Sequence, residues 1–281
     1  MLRKKYLCEF CKAEKKPVIS FNKKLKNENL FGLEKIRNYQ RTIFYCKKCL
    51  HYSNIHKYEN FLSKVYSQLY SRNSYGDLKK RFLDIYRKKK FNSSNYHRMK
   101  YLINFIKKKK IKVNKALDIG SGIGIFPYSM EKGGFKFEFC EKDKKNYNFL
   151  KHKLKLKPFS NDIINDEIPR KEIFDLITLN KVLEHLNFKS IQIVLKKIFK
   201  LLTRKGILYI ELPDAEKSAK IGFERQEFFL EHFHIFSKKS ALKLMFKSNF
   251  VVEKIYALKE VNNKFTIRII AKKKIKKIAK F

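Results

Sequence analysis

Two groups of residues in this chain are spaced for chemistry. The first is Asp118-Ile119-Gly120-Ser121-Gly122-Ile123-Gly124, where an apolar run ends in three alternate glycines and a helical pattern begins. A loop without β-carbons lets a ligand approach the backbone, and amides at a helix start are donors without intrahelical partners. About twenty residues later the next apolar run ends in Cys140-Glu141, where a carboxylate can accept both ribose hydroxyls of a nucleoside. A dinucleotide fingerprint would need its third glycine at position 125, which is Ile125, so the spacing here is G-x-G-x-G.

The second group is Cys8-x-x-Cys11 and Cys46-x-x-Cys49. Four thiolates close a tetrahedral Zn2+ site with no open position, which makes the metal structural rather than catalytic. Redox thiols are the alternative use of such pairs. His51 is a spare ligand that four cysteines do not require. The long interval between the pairs implies an extended insertion over Lys23–Asn38.

Elements must hold these groups in place. Residues 1–52, with both cysteine pairs and β-like stretches such as Arg41–Tyr45, form a small zinc-ribbon-like module. Residues 53–110 carry apolar residues at helical spacing (Phe61, Leu62, Val65, Leu69; Tyr101, Leu102, Phe105, Ile106), a helical linker that covers the next unit. From residue 111 to 281 short apolar runs alternate with amphipathic stretches, the pattern of an α/β domain with a parallel sheet. Strands are expected at Lys115–Ile119, Phe135–Cys140, Phe174–Leu179, Ile207–Leu212, Phe250–Leu258 and Phe265–Ala271, and helices at Ile125–Lys132, Lys144–Lys153, Ser190–Leu202 and Lys239–Lys247. Ser237 is the expected N-cap of the last helix, and Gly206 the expected turn from helix into strand. Asp175 reads as a strand-edge cap.

With Asp118 two residues ahead of the first glycine, the loop resembles the first motif of class I S-adenosylmethionine-dependent methyltransferases. In that family the acidic residue and loop backbone hold the amino-acid part of the cofactor, here Asp118, Gly120, Ser121, Gly122 and Gly124. Glu141 then takes the ribose, and Asp162, after Lys157–Ser160, falls near the adenine amino group. The stretch from Phe174 through Asn180 to Leu186, with His185 near the cleft, resembles the fourth strand and its turn. Leu201–Pro213 resembles the passage into the fifth. The resemblance implies a Rossmann-like sheet of order 3-2-1-4-5-7-6 with the last strand antiparallel, Asn180 beside the cofactor, and S-adenosyl-L-methionine as methyl donor.

The cysteine module ahead of this core resembles a bacterial group related to the sugar C-methyltransferases of nucleotide-linked deoxysugars. That group carries a Glu-His pair after the fifth strand, matched by Phe229-Leu230-Glu231-His232-Phe233-His234. The match implies His232 as the base that takes the acceptor's proton, with Glu231 orienting it or binding a substrate hydroxyl. Alternation in an extended segment would turn His232 and His234 to one side, so the choice between them rests on the resemblance. The chain departs from these relatives in ending near Phe281 without their long C-terminal domain, so their substrate is not carried over.

Composition sorts the remaining function classes. Sixty-seven Lys and Arg against 26 Asp and Glu give a formal charge of +41. Lysines are spread through both halves, as AT-rich coding gives, whereas a nucleic-acid face would be local. A small-molecule or glycan-precursor acceptor is therefore the leading reading. An RNA acceptor gripped by the basic surface and zinc module is the alternative, and a non-catalytic assembly factor is a third. No signal-peptide pattern or run of about 18 uncharged apolar residues appears, so no transmembrane segment is expected and the chain reads as cytoplasmic.

Overall fold

The computed structural model describes residues 5–26, 28, 39–62, 77–169 and 171–275. Most of the Lys23–Asn38 insertion and the helical spacing around Val65 and Leu69 lie outside the described residues. Strands β1 (Lys16–Phe21), β2 (Arg41–Cys46) and β3 (His51–His56) form an antiparallel meander. Helices α1 (Leu78–Tyr86) and α2 (Ser94–Lys108) follow, capped by Asp77 and Ser93.

The core then alternates strand and helix: β4 (Ala116–Ile119), α3 (Ile125–Lys132), β5 (Phe137–Cys140), α4 (Lys144–Asn148, continued by a π turn to Lys153) and β6 (Lys157–Ser160). After these come β7 (Phe174–Asn180), α5 (Phe188–Leu201), β8 (Leu202–Pro213), the short α6 (Ala215–Ala219), β9 (His234–Ile235), α7 (Lys238–Lys247), β10 (Phe250–Lys259) and β11 (Phe265–Lys273).

Seven strands make one sheet, in the order β10-β11-β8-β7-β4-β5-β6. Numbered within the core, this is the expected 3-2-1-4-5-7-6, and the last strand runs antiparallel to both neighbours. The result is a Rossmann-like α/β fold with a mostly parallel sheet. The strand order reverses between β4 and β7, which opens a crevice beyond their C-terminal ends. β9 leaves this core and pairs with β3, so the second sheet reads β1-β2-β3-β9.

Helices cover both faces of the large sheet. α5 buries Ile191, Val194, Leu195, Ile198 and Leu201 at helical spacing against Phe174, Ile177 and Leu208, and α7 adds Leu244 and Met245. At about 1.5–3 kcal/mol for each buried aliphatic side chain, α5 alone contributes on the order of 10 kcal/mol. On the opposite face, α2 and α3 pack Leu102, Phe105 and Phe126 against Leu176, Ile207 and Tyr209. Ser237 caps α7 in a reciprocal capping box with Ser240, as its position predicted.

Gly206 departs from its expected place. It lies inside β8, where the pairing with β7 shifts register between Phe174 and Leu176, and a β-carbon there would sit 3.0 Å from the Asp175 carbonyl. Close backbone approach at a bulge, rather than a helix end, is what glycine serves. Asp175 does tie the edge, accepting from Asn114 N at 2.9 Å and Thr203 Oγ1 at 3.0 Å.

One buried ionic group joins α2 to the sheet. Glu211 on β8 accepts from Arg268 Nε of β11 at 2.7 Å, Arg98 Nη2 of α2 at 2.5 Å and the Tyr209 hydroxyl at 2.6 Å. Burial alone would raise its pKa, but the two guanidiniums hold it far below the usual carboxylate range. Among the described residues, no helix is long and apolar enough to cross a membrane.

Glu211→Gln should cost about 3–5 kcal/mol, because two largely buried arginines lose their counter-charge. Linkage gives the sign with pH: the stabilisation is complete above the unfolded Glu value of about 4.3 and is lost as pH falls below it. Chemical denaturation from pH 7 down to pH 3 should show the gap between wild type and Glu211→Gln narrowing with acid. A gap that is constant or widens would reject the role given to this carboxylate.

Candidate active site

The crevice beyond β4 and β7 is a cleft of about 700 Å³. Its floor is the glycine loop. Gly120, Gly122 and Gly124 have φ of +69°, +56° and +78°, a left-handed path that β-carbons oppose. At Gly120 a β-carbon would lie 2.6 Å from Val182 Cγ2, and at Gly124 it would meet Leu150 and Leu154 at 3.0 and 2.9 Å. Gly124 N-caps α3 and is explained by this packing; Gly120 and Gly122 line the cleft with Ser121.

The loop is tied to β5 and β7. Gly120 N and Ser121 N both donate to the Cys140 carbonyl, at 2.9 and 3.2 Å. Asp118 and Thr178 are register partners on neighbouring strands, so both point to one face, and Asp118 Oδ1 accepts from Thr178 Oγ1 at 2.5 Å and Asn180 Nδ2 at 3.0 Å. Glu141 accepts from Gly122 N at 2.7 Å and Asp143 N at 2.9 Å, one bond to each oxygen. Burial pushes Asp118 up to about 6 and Glu141 up to about 7.

Some polar atoms here lack partners among the described residues. Asn180 Oδ1 and both amide atoms of Asn146 are buried without hydrogen bonds, and all line the cleft. Orphaned polar groups of this kind are satisfied by a ligand. A bare-backbone loop, a carboxylate ahead of it and unspent amides suit a molecule with both an amino-acid and a nucleoside part. Asp162 stands apart from the cleft lining. Its carboxylate pairs with Lys142 at 3.1 Å and accepts from Ile164 N at 3.0 Å; Lys142 and Ile164 line the cleft instead.

Glu231 and His232 line the same cleft with Glu184 and His185. His185 and His232 have ring centroids 4.7 Å apart. His185 Nδ1 faces the Glu231 carbonyl at 3.1 Å and His232 Nδ1 the Glu227 carbonyl at 2.9 Å, so in the tautomer these contacts require, each Nδ1 donates. Burial lowers His185 to about 4 and, aided by the charge of His185, depresses His232 well below its ordinary value. Burial likewise raises Glu184 to about 8 and Glu231 to about 7. Both imidazoles are neutral at pH 7.

The 228–233 stretch is a turn rather than an extended segment, which separates the two histidines. His234 faces away, its Nδ1 3.2 Å from His51 Nε2, and His51 in turn meets Ser240 at 3.1 Å. The expected common side for His232 and His234 is thus corrected by the turn. His51 is occupied here and offers nothing to the cysteines.

Three residues that sequence reasoning passed over hold this turn. Arg41 Nη1 donates to Phe228 O at 2.6 Å and to Asn54 Oδ1 at 3.1 Å. Asn54 Nδ2 reaches Phe228 O, Phe229 O and His232 O at 3.1, 2.9 and 3.1 Å. Glu28 pairs with Arg41 at 3.1 Å and accepts from Leu230 N at 2.5 Å. Their partners lie nearly two hundred positions along the chain, and no local pattern marks them. Lys181, directly after β7, is another omission: it takes φ +61°, and its ammonium pairs with Glu260.

The cysteines converge. Cys8, Cys11, Cys46 and Cys49 place their sulfurs within 4.8 Å of one another, with Cys11 and Cys46 3.5 Å apart. Each C-x-x-C turn ends in a left-handed residue, Lys12 at φ +62° and Leu50 at φ +56°, so the two knuckles match. Burial raises the thiols of Cys8 and Cys49. A cation at their centre would hold all four as thiolates.

A search of curated proteins by sequence finds no match. Solved structures of the same fold include Burkholderia thailandensis 1,6-didemethyltoxoflavin-N1-methyltransferase, at TM-score 0.57 and 13% identity, covering 84% of this chain and 96% of that one. Magnesium protoporphyrin IX methyltransferase from Synechocystis PCC 6803 aligns at TM-score 0.55 and 12% identity, covering 72% and 96%. Both were solved with S-adenosylhomocysteine bound. A family model described as a methyltransferase domain matches residues 89–255, more than half of the 281-residue chain. The chain belongs to that family, and its α/β core has the fold of S-adenosylmethionine-dependent methyltransferases.

Proposed function

We propose that the protein transfers a methyl group from S-adenosylmethionine to a small-molecule or glycan-precursor acceptor, a nucleotide-linked sugar being one such compound. The observation that carries this reading is one cleft lined both by the glycine loop and Glu141 and by Glu231 and His232. Asp118 and the side-chain-free path of the loop receive the cofactor's amino-acid part, Glu141 and Asn180 its remaining polar groups. The lining gathers Glu184, Glu227, Glu231 and Glu260 beyond Asp118 and Glu141, together with Lys142, Lys181 and Lys264. The similar structures named above are, by their names, methyltransferases of a small heterocycle and a porphyrin, in keeping with an acceptor of that size.

S-adenosylmethionine supplies an electrophilic methyl group on a sulfonium, and this chain's work is positioning and proton removal. His232, neutral and fixed with Nδ1 on the Glu227 carbonyl, has its lone pair on Nε2 and takes the acceptor's proton there. Glu231 sits beside it to receive an acceptor hydroxyl, its Oε2 buried without a partner among the described residues. In the N-terminal module the four cysteines hold one structural Zn2+, which fixes the knuckles next to β3.

Calorimetry should show S-adenosylhomocysteine binding to wild type. Gly122→Arg should weaken it more than about tenfold, since a long side chain at a left-handed position both strains the loop and fills the cleft. Equal affinity in a folded Gly122→Arg protein would remove the glycine loop from the cofactor site.

His232→Ala should keep that affinity yet slow single-turnover methyl transfer by roughly 10²-fold or more, the size of a lost general base. A near-normal rate in His232→Ala takes the imidazole out of the chemistry.

Zinc analysis of protein passed through a weak chelator should find about one retained ion per chain, absent from Cys46→Ala. Structural zinc contributes on the order of 10 kcal/mol at neutral pH, so that variant should lose the N-terminal module's proteolytic resistance while still binding S-adenosylhomocysteine. Wild-type protein free of zinc from the start would reject the assignment.

A further inference from the structure

The acceptor end carries a second set of metal-type donors, separate from the cysteines. Glu184, His185 and His232 each bring one ligand atom within 4.8 Å of the other two. Both imidazoles have Nδ1 on a backbone carbonyl, His185 on Glu231 O at 3.1 Å and His232 on Glu227 O at 2.9 Å. This tautomer sets the ring lone pair at Nε2, and a carbonyl on the other nitrogen is the common outer partner of a metal-bound histidine. Glu184 is only 1% exposed, and among the described residues its Oε2 has no hydrogen-bond partner and no lysine or arginine forms an ion pair with it. The charges of Lys181 and Lys264 reach Glu184 without an ion pair to it, and a buried carboxyl beside two imidazoles is a donor set that a cation at closer range would satisfy.

We propose that Glu184, His185 and His232 bind one divalent first-row transition-metal cation at the acceptor end of the cleft. Two imidazoles and a carboxylate favour an ion of the Zn2+ or Co2+ type over Mg2+ or Ca2+, which prefer all-oxygen sets. Three protein donors leave coordination positions open toward the cleft. The inference rests on the acceptor-end reading above for its consequence: cation and proton compete for the same Nε2 of His232. The cation therefore inhibits the base and does not substitute for it.

The test uses the full chain with its cysteine site already loaded with zinc. Titration with Co2+ should show one further equivalent, with ligand-field absorption but no thiolate-to-cobalt charge-transfer band. Glu184→Gln and His185→Gln should each weaken that equivalent more than about tenfold while zinc at the cysteines is retained. Because either variant can perturb folding, cobalt-edge anomalous diffraction on wild-type crystals soaked in Co2+ gives a second readout, with the peak expected among these three side chains. No further equivalent, an equivalent untouched by both substitutions, or a peak elsewhere overturns the proposal. S-adenosylhomocysteine affinity measured on the same sample without cobalt separates this result from the methyltransferase reading: cofactor binding without a cation overturns only the cation site, and a cation without cofactor binding overturns only the reading of the cleft.

Discussion

A buried turn must have its carbonyls satisfied, and the acceptor end of this cleft exists because one guanidinium and one amide do that. The carbonyls of Phe228, Phe229 and His232 point inward, away from water, and would each cost roughly 1–3 kcal/mol if left unmade. Arg41 and Asn54 supply the donors, Glu28 neutralises Arg41 and takes Leu230 N, and β3 pairs with β9 just beyond. Phe233 N closes the other side on the Glu184 carbonyl. With the backbone fixed from both sides, Glu231 and His232 face Glu184 and His185 across the cleft. The cysteine knuckles share in the same fastening: the Cys49 carbonyl accepts from Ser237 Oγ at 2.5 Å, at the head of α7.

Much of the cofactor end was readable from the chain because its signals are local. Gly120 and Gly122 advertise a left-handed path, and Glu141 follows at the end of the next strand. Six of the seven core strands came from short apolar runs; β6, a four-residue edge strand that begins Lys157-Pro158, gave no such run and was not foreseen. Asn180 was placed by resemblance, and its free Oδ1 supports a ligand there. Ser237 carried its capping signal in the sequence itself. What escaped was non-local. Arg41 and Asn54 act on carbonyls far along the chain, and Glu211 gains its two arginines from α2 and β11. Alternation failed at His234 because a turn, invisible in an apolar-rich stretch, breaks the strand period between the two histidines. Lys181 in a left-handed conformation had no glycine or asparagine to announce it.

The chain is strongly basic, whereas its cleft mixes acidic side chains with a few lysines and Arg98. The net +41 sits on scattered lysines, and several of those that reach the interior are spent there: Lys181 on Glu260, Lys15 on Glu9 and Ser53. The cleft itself collects carboxyls whose pKa values burial pushes upward. Screening over a Debye length leaves the outer field to act on encounter, while the inner one sets what stays bound.

The four-stranded sheet is assembled from the two ends of the chain, and this bears on when the protein can fold during synthesis. β1, β2 and β3 leave the ribosome early, but their fourth strand, His234–Ile235, follows about 180 residues behind Ser53, its partner. Until then the Arg41 guanidinium and the Asn54 amide have no carbonyls to meet, and the closure entropy of that long loop is still to be overcome. Contacts of such separation form late. A nascent chain stalled before Phe228 therefore has a glycine loop and Glu141 in place but no acceptor end, so the cofactor end can mature on the ribosome while the reactive half waits for nearly complete translation.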